Sequence, residues 1–491
     1  MSEDKGVGLK AWLSGPRSKS AKTDDHGEKL VGMDKNRLAV LPLANISPDP
    51  RDEYFADGLT EELITRLSEV SGLKVIARTS IMNYKRKEKS AREIGKELGV
   101  SSIVEGSVRK ADNKMRITVQ LIDPETEEHL WSSHYDRDLG DIFAIQTEIA
   151  DKVAGALTHR EFTRRPQEHT PDLLAYTMFL RANHLLHESW SMSNYKEALD
   201  LFTQAIERDP RFARAYAGIA RAWFLLGSSG YENFSKIIEK GKPAAERSIE
   251  LAPYEAEGHL AMAMIYMAQD KFESVKVEVQ KALQFNPNLA EAYQMLGEVQ
   301  MNLGEPDAGI KSFETSLELD PFSLGTISDL VVACQALGRT DHALELLQKT
   351  ERLYPTSPEP QLQLARYHIW NRDYLKAQEH LDRYKELGAN RPETKMSSAS
   401  TQGVLHALGG KRRQAEELID YLKGLDNESA RLQGMFPILA VLGKFDEAFE
   451  CLMRMADLGA WGNSVKYLPH YAPLRKDPRY KEFCKKVGLK P

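Results

Sequence analysis

Thirteen histidines, three cysteines and many carboxylates are the groups in this chain that could do chemistry. His184 and His187 stand three apart, which puts them on one helix face. No third ligand is spaced beside them, so they read as a surface pair. His129 and His134 are five apart on a strand and point to opposite faces. Cys334, Cys451 and Cys484 are too scattered for a disulfide framework or a zinc site. There is no H-E-x-x-H and no phosphate-cradling glycine loop, and Gly409-Gly410-Lys411 reads as a turn between helices. Glu61-Glu62, Glu416-Glu417 and Lys411-Arg412-Arg413 read as solvated helix faces. Tyr84-Lys85-Arg86-Lys87 reads as a solvated loop, with a phosphate-binding loop as the sharper alternative. The expectation is a chain that is not an enzyme, with no cofactor and no metal. An enzyme with a site near Asp57, Glu105 and His129 is the weakest reading.

The elements that would carry any site divide the chain. Its 491 residues exceed one ordinary domain. A net charge of −6 gives no electrostatic case for nucleic acid or an anionic membrane. No apolar run reaches the 18 or so residues that span a bilayer, and Met1–Lys10 lacks the apolar core of a secretory signal. With unpaired cysteines, this predicts a cytoplasmic setting.

Residues 1–36 read as a disordered polar tail, with Leu9-Lys10-Ala11-Trp12-Leu13 as a possible docking segment. Residues 37–158 read as a small α/β sandwich. Leu38–Leu43 and Leu73–Ala77 are apolar runs fit for buried strands, and Asp52–Val70 and Ala91–Leu98 have helical spacing. Met115, Ile117, Val119 and Leu121 alternate with Arg116, Thr118 and Gln120, the pattern of a strand with one wet face. Ala111-Asp112-Asn113 turns the chain into that strand, and Glu128–Tyr135 follows as another. Asp141 is expected to cap a closing helix with Ile142, Ile145, Ile149 and Val153 inside.

Several stretches of this domain resemble the TolB-like amino-terminal domain. They are Tyr54-Phe55-Ala56-Asp57-Gly58-Leu59-Thr60-Glu61, Val104-Glu105-Gly106-Ser107-Val108-Arg109, Arg116–Asp123, His129-Leu130-Trp131, Tyr135-Asp136-Arg137 and Asp141–Gln146. That family implies a nucleotide cyclase, winged-helix or kinase output domain in front and repeats behind. The polar tail is too short for such an output domain, so those activities are not expected here.

After a linker at 159–170, prolines set the rhythm. Pro253, Pro287, Pro321 and Pro355 step by 34 residues, the mark of stacked helix pairs. Tyr293, Leu296, Gly297, Gly304, Phe313 and Pro321 fill one period. This resembles the tetratricopeptide repeat, except that Gly309 and Ser316 stand where alanines are usual. About eight helix pairs are expected over 171–457, with a capping segment at 458–491 whose Tyr480, Phe483 and Cys484 cover the end of the stack. The fold class is thus α+β, multidomain: an α/β sandwich followed by an all-α repeat superhelix.

The resemblance implies a groove lined by the first helix of each pair. Carrying over its groove positions gives Arg214, Arg221 and Phe224; Leu260, Met264 and Met267; Gln294, Glu298, Met301 and Asn302; and Leu362, Arg366, Ile369 and Trp370. Several of these are equally suited to packing on the next repeat. The basic, asparagine-containing carboxylate clamp of chaperone-binding members is not reproduced. The expected function is a bacterial protein-interaction scaffold or regulatory adaptor that holds a protein or peptide in this groove. The alternative is the sensor half of a signalling system whose cyclase, kinase or DNA-binding output lies on another chain.

Overall fold

A computed structural model describes residues 36–85, 89–158, 172–188, 191–229, 231–389, 392–458 and 464–489. The expectations for the tail, the linker and Arg86-Lys87 fall outside these residues. The chain divides into two compact units, 1–165 and 166–491.

The first unit is built on one sheet, with strands β1 (Arg37–Val40), β2 (Ala44–Asn45), β3 (Lys74–Val75), β4 (Ser102–Ala111), β5 (Lys114–Ile122) and β6 (His129–Asp138). Their order is β3-β1-β4-β5-β6, and β2 pairs with β4. β1 runs parallel to β3 and β4, whereas β4, β5 and β6 form an antiparallel meander. The alternation read in β5 holds: Met115, Ile117, Val119 and Leu121 are buried, while Arg116 and Thr118 are exposed. Asp112 makes the β4–β5 turn with a positive φ of 53°. Gly106 lies in β4, where a Cβ would sit 2.1 Å from the Thr118 carbonyl oxygen of β5.

Among the described residues four helices complete this unit: α1 (Glu53–Ser68), α2 (Arg78–Ile81), α3 (Ala91–Leu98) and α4 (Ile142–Thr158). α3 starts on a reciprocal cap between Ser90 and Glu93 and stops at Gly99, in the left-handed region. α4 buries Ile142, Ile145, Ile149 and Val153 as its spacing predicts. Asp141 does not cap it directly; Leu139–Asp141 form a 3-10 turn that runs into the helix at Ile142. Of the apolar run Leu38–Leu43 only Leu38–Val40 is strand, within β1, and β2 begins beyond it at Ala44; the strand within Leu73–Ala77 covers only Lys74–Val75. The last strand lies later than Glu128–Tyr135, at His129–Asp138.

Two charge readings are corrected here. Glu62 is only 2% exposed and Glu61 pairs with Arg78 at 3.4 Å, so this helix face is not solvated. Nor is Lys85 part of a free loop. Its Nζ bridges Glu53 at 2.7 Å and the buried Asp57 at 2.6 Å. A buried carboxylate needs such a partner, and this one lies 28 residues away in sequence.

The second unit is all helical. Among the described residues the paired helices are α5 (Leu173–Glu188) with α6 (Met192–Arg208), α7 (Ala213–Ser228) with α8 (Phe234–Leu251), and α9 (Ala256–Met267) with α10 (Phe272–Phe285). Next come α11 (Ala290–Asn302) with α12 (Pro306–Leu319), α13 (Leu324–Ala336) with α14 (Thr340–Leu353), and α15 (Glu359–Trp370) with α16 (Tyr374–Leu387). α17 (Pro392–Leu408) with α18 (Arg412–Lys423) and α19 (Glu428–Val441) with α20 (Phe445–Asp457) follow. Asp270, Gly304, Gly338 and Arg372 step by 34 residues and all take positive φ in the turn inside a pair. Gly410 and Gly443 serve the last two pairs. In the fourth pair Gly297 sits under Phe313, where a Cβ would lie 2.6 Å from the ring. Gly309 replaces the usual alanine where a Cβ would be 3.1 Å from the Gly297 carbonyl oxygen. The departure from the repeat pattern thus lets two helix backbones approach.

Beyond α20 lie α21 (Ser464–Tyr467), a 3-10 turn at Pro469–Tyr471, α22 (Ala472–Arg475) and α23 (Arg479–Lys486). Tyr480, Phe483 and Cys484 are buried, and α23 packs on α20. Arg479 pairs with Asp446 at 2.8 Å and stacks 4.6 Å from the Phe449 ring centroid.

Candidate functional site

First helices of neighbouring pairs meet, α5 with α7, α7 with α9, α11 with α13, α15 with α17 and α17 with α19, and the side they form is the inner face of the array. Polar side chains cross-link them. Arg214 of α7 reaches Glu257 of α9 at 3.3 Å and lies 4.8 Å from the Phe179 ring centroid. Arg221 reaches two pairs on, to Glu291 of α11 at 3.1 Å. Gln294 donates to Asp329 of α13 at 2.9 Å, and Gln363 of α15 donates to Ser328 at 2.9 Å. These contacts tie successive pairs together on the inner face.

The apolar candidates behave differently. Leu260, Met264, Met301, Leu362 and Ile369 are buried in the packing between helices. Phe224 and Met267 are half-buried against the same core. Asn302 is 4% exposed, and its side-chain oxygen has no hydrogen-bond partner among the described residues.

Two places on the face are electrostatically unusual. Glu298 of α11 and Asp329 of α13 lie within hydrogen-bonding reach of one another. Burial, then the charge of Asp329 and a hydrogen bond to it, push the Glu298 carboxyl well above its ordinary range. Burial also lifts Asp329 to about 6, against the opposing hydrogen bonds from Gln294 and Glu298. Burial and mutual repulsion thus favour keeping a proton on this pair to higher pH than an isolated carboxyl would hold one.

The second place is Arg366 on α15. Its side chain is open to solvent, and it has no carboxylate partner among the described residues. An arginine keeps its charge in such a setting. Trp370, one turn along, is half-buried. Arg366 and Trp370 thus combine a retained charge with an aromatic surface.

Asp57, Glu105 and His129 do not form a comparable cluster. Asp57 is held by Lys85, Glu105 accepts the Gln120 amide across the sheet at 2.5 Å, and His129 is exposed at the start of β6. The thiols are buried, and burial pushes Cys334 up to about 12 and Cys451 up to about 11. Such thiols are poor nucleophiles.

Reading the sequence missed Glu257, Glu291, Ser328 and Asp329 on this face. Ser328 occupies the same helical position in α13 as Gln294 does in α11, so the template extended to the fifth pair would have found it. Asp329 is one step further round the helix and carried no signal. Lys466, Tyr467 and Tyr471 were also missed, because they reach this face from beyond the repeats.

Comparison with known proteins places both units. Residues 34–152 match the HilA/YgeH-like transcriptional regulator, second domain. Residues 187–229 and 290–323 match tetratricopeptide repeats. The second unit is such an array, and arrays of this repeat are protein-interaction scaffolds. The chain is 39% identical over 244 residues to the putative adenylate cyclase 3 of Rhizobium meliloti, covering 48% of this chain and 41% of that protein. It is 27% identical over 164 residues to the CTR9 homolog of Arabidopsis thaliana, covering 33% and 14%. The match therefore spans less than half the length of either relative. Yeast Tom70 is similar in fold at 18% identity and TM-score 0.42, covering 71% of this chain and 78% of that one.

Proposed function

We propose that this chain is a non-catalytic regulatory adaptor of bacterial signalling that holds a protein or peptide segment on the inner face of its repeats. The observation that carries the reading is Arg366, a charged and solvent-open side chain on that face with no carboxylate partner among the described residues. Beside it stands Trp370, and arginine and tryptophan are frequent anchors of protein interfaces. On the first helices of earlier pairs, Gln294, Glu298, Arg214 and Arg221 are further polar candidates, already cross-linked between repeats, while Asn302 is buried. The sheet domain, with its TolB-like motifs, serves as a second recognition module.

The similarity to a putative adenylate cyclase and to a transcriptional regulator's second domain favours a narrower version, in which the chain is the regulatory half of a cyclase- or transcription-linked system. The test is capture of binding proteins by the tagged full chain, with an Arg366→Ala/Trp370→Ala chain as control. Circular dichroism must first show that the control remains helical. A protein held by the native chain and lost from the control supports the groove. Capture indifferent to both substitutions moves the interface elsewhere. A cyclase assay on the purified chain is expected to show no turnover.

A further inference from the structure

The inner face is not bare in this structure. Lys466 donates its ammonium to the carbonyl oxygen of Asn302 at 3.0 Å, across 164 residues of sequence. The neighbouring Tyr467 hydroxyl donates to the Met301 carbonyl oxygen. These two acceptors lie at the carboxyl end of α11, where the helix dipole favours a cation; the Met301 carbonyl oxygen also accepts the Gly304 backbone N–H at 3.1 Å. Tyr467 is half-buried against the core built from α11 to α15. Its short helix α21 packs on α13. Four residues on, Tyr471 is buried and packs on Phe436 of α19, the rings tilted by 38° with centroids 5.3 Å apart. The same tyrosine is near enough to Arg366 for the two to interact electrostatically.

Residues 464–475 therefore lie along the face that runs from the fourth pair to the eighth. They are folded as a unit: Arg475 donates to the carbonyl oxygens of Val465 and Leu468, each at 2.9 Å. The chain then continues to Gly488, where a Cβ would sit 2.9 Å from the Asp270 carbonyl oxygen in the third pair. A segment made of four-residue helices has no helical stability of its own. It is held by side-chain donors on backbone acceptors and by one aromatic contact, the kind of local structure that opens below the global unfolding energy.

We propose that the inner face from α11 to α19 is a peptide-docking surface occupied by the chain's own residues 464–475, and that its external ligand is a segment of the same chemistry. That chemistry is an adjacent lysine and hydroxylated aromatic that cap the end of α11, followed four residues later by a second aromatic for Phe436. Binding of the partner requires the internal segment to leave. The inference rests on the groove-binding reading above and adds the identity of its resting occupant.

The test uses the full chain and a fluorescent synthetic peptide with the sequence of residues 464–475, read by anisotropy. In the native protein the tethered segment competes at an effective concentration near the millimolar range, so the peptide binds weakly. The Lys466→Ala/Tyr467→Phe chain loses two hydrogen bonds from the internal competitor only, and should bind the peptide about tenfold or more tightly. Arg475→Met, which loosens the segment's internal clasp, should shift affinity the same way. A peptide that itself carries K466A and Y467F should lose a similar factor. Circular dichroism and hydrogen exchange across α5–α10 check that each variant keeps its fold. Unchanged peptide affinity in both variants overturns the internal-occupant proposal. A partner still captured through Arg366 and Trp370 would then leave the adaptor reading standing.

Discussion

Lys85 in the sheet domain sits between two carboxylates, whereas Arg366 in the helical array faces none among the described residues. The contrast extends to their neighbours. In the sheet domain Lys110 holds Asp52 at 2.8 Å and Arg78 holds Glu61 at 3.4 Å. In the array, Glu298 and Asp329 confront one another and keep a proton to higher pH than an isolated carboxyl would. One unit uses its charges to close its own core. The other pairs Arg214 and Arg221 between its repeats but leaves Arg366 without a carboxylate among the described residues and sets Glu298 against Asp329. The proposed function thus assigns recognition to the array, and substitutions internal to each unit should separate the two.

The largest expected effect is in the array. Phe313 is 1% exposed and seated on Gly297, so Phe313→Ala should cost about 3–5 kcal/mol. Urea melts with hydrogen exchange resolved by peptide should show the loss in α11–α14, with the sheet domain unmoved. If both units lose protection together, their independence is disproved. Next is Lys85→Met, which takes the ammonium away from the buried Asp57 and should cost about 3 kcal/mol. Its loss should be confined to α1 and the sheet, and an unchanged melt would mean that the bridge is not what neutralises Asp57.

Gly106→Ala should cost about 2 kcal/mol, because the added methyl meets the Thr118 carbonyl and forces β4 from β5. Faster exchange along the β4–β5 ladder is the readout. The smallest effect has the opposite sign. Glu298 and Asp329 have folded pKa values raised above their unfolded ones, so the folded state binds more protons and stability falls as pH rises through about 4 to 6 and beyond. Glu298→Gln removes that penalty. It should stabilise the chain by about 1 kcal/mol at pH 8 and by almost nothing at pH 4. An equal gain at both values would rule out the retained proton.

Much of the array could be read directly from residue spacing. The proline step, the glycines at 304, 410 and 443, and the match of Gly297 to Phe313 are local, because each pair is packed by residues within one period. The meander was legible for a similar reason: alternation along β5 reports one buried face. Glu62 and Lys85 were misread because a helix face or a basic run looks solvated until a distant element covers or pairs it. On the inner face, the template located the right helix surface. It could not separate Arg366, which stays open, from Met264, which packs inward.

By itself, then, the sequence determined the two-part architecture, the repeat period and the surface on which the candidate residues lie. Those features follow from hydrophobic periodicity and from backbone sterics at proline and glycine, which act over a few residues to a few tens. The tertiary structure alone decided which charges are neutralised, where a proton is retained and what covers the inner face. Those outcomes depend on distance and burial between groups far apart in the chain, as when Lys466 meets the end of α11. No local pattern records that meeting, because its free energy arises only once the intervening helices have stacked.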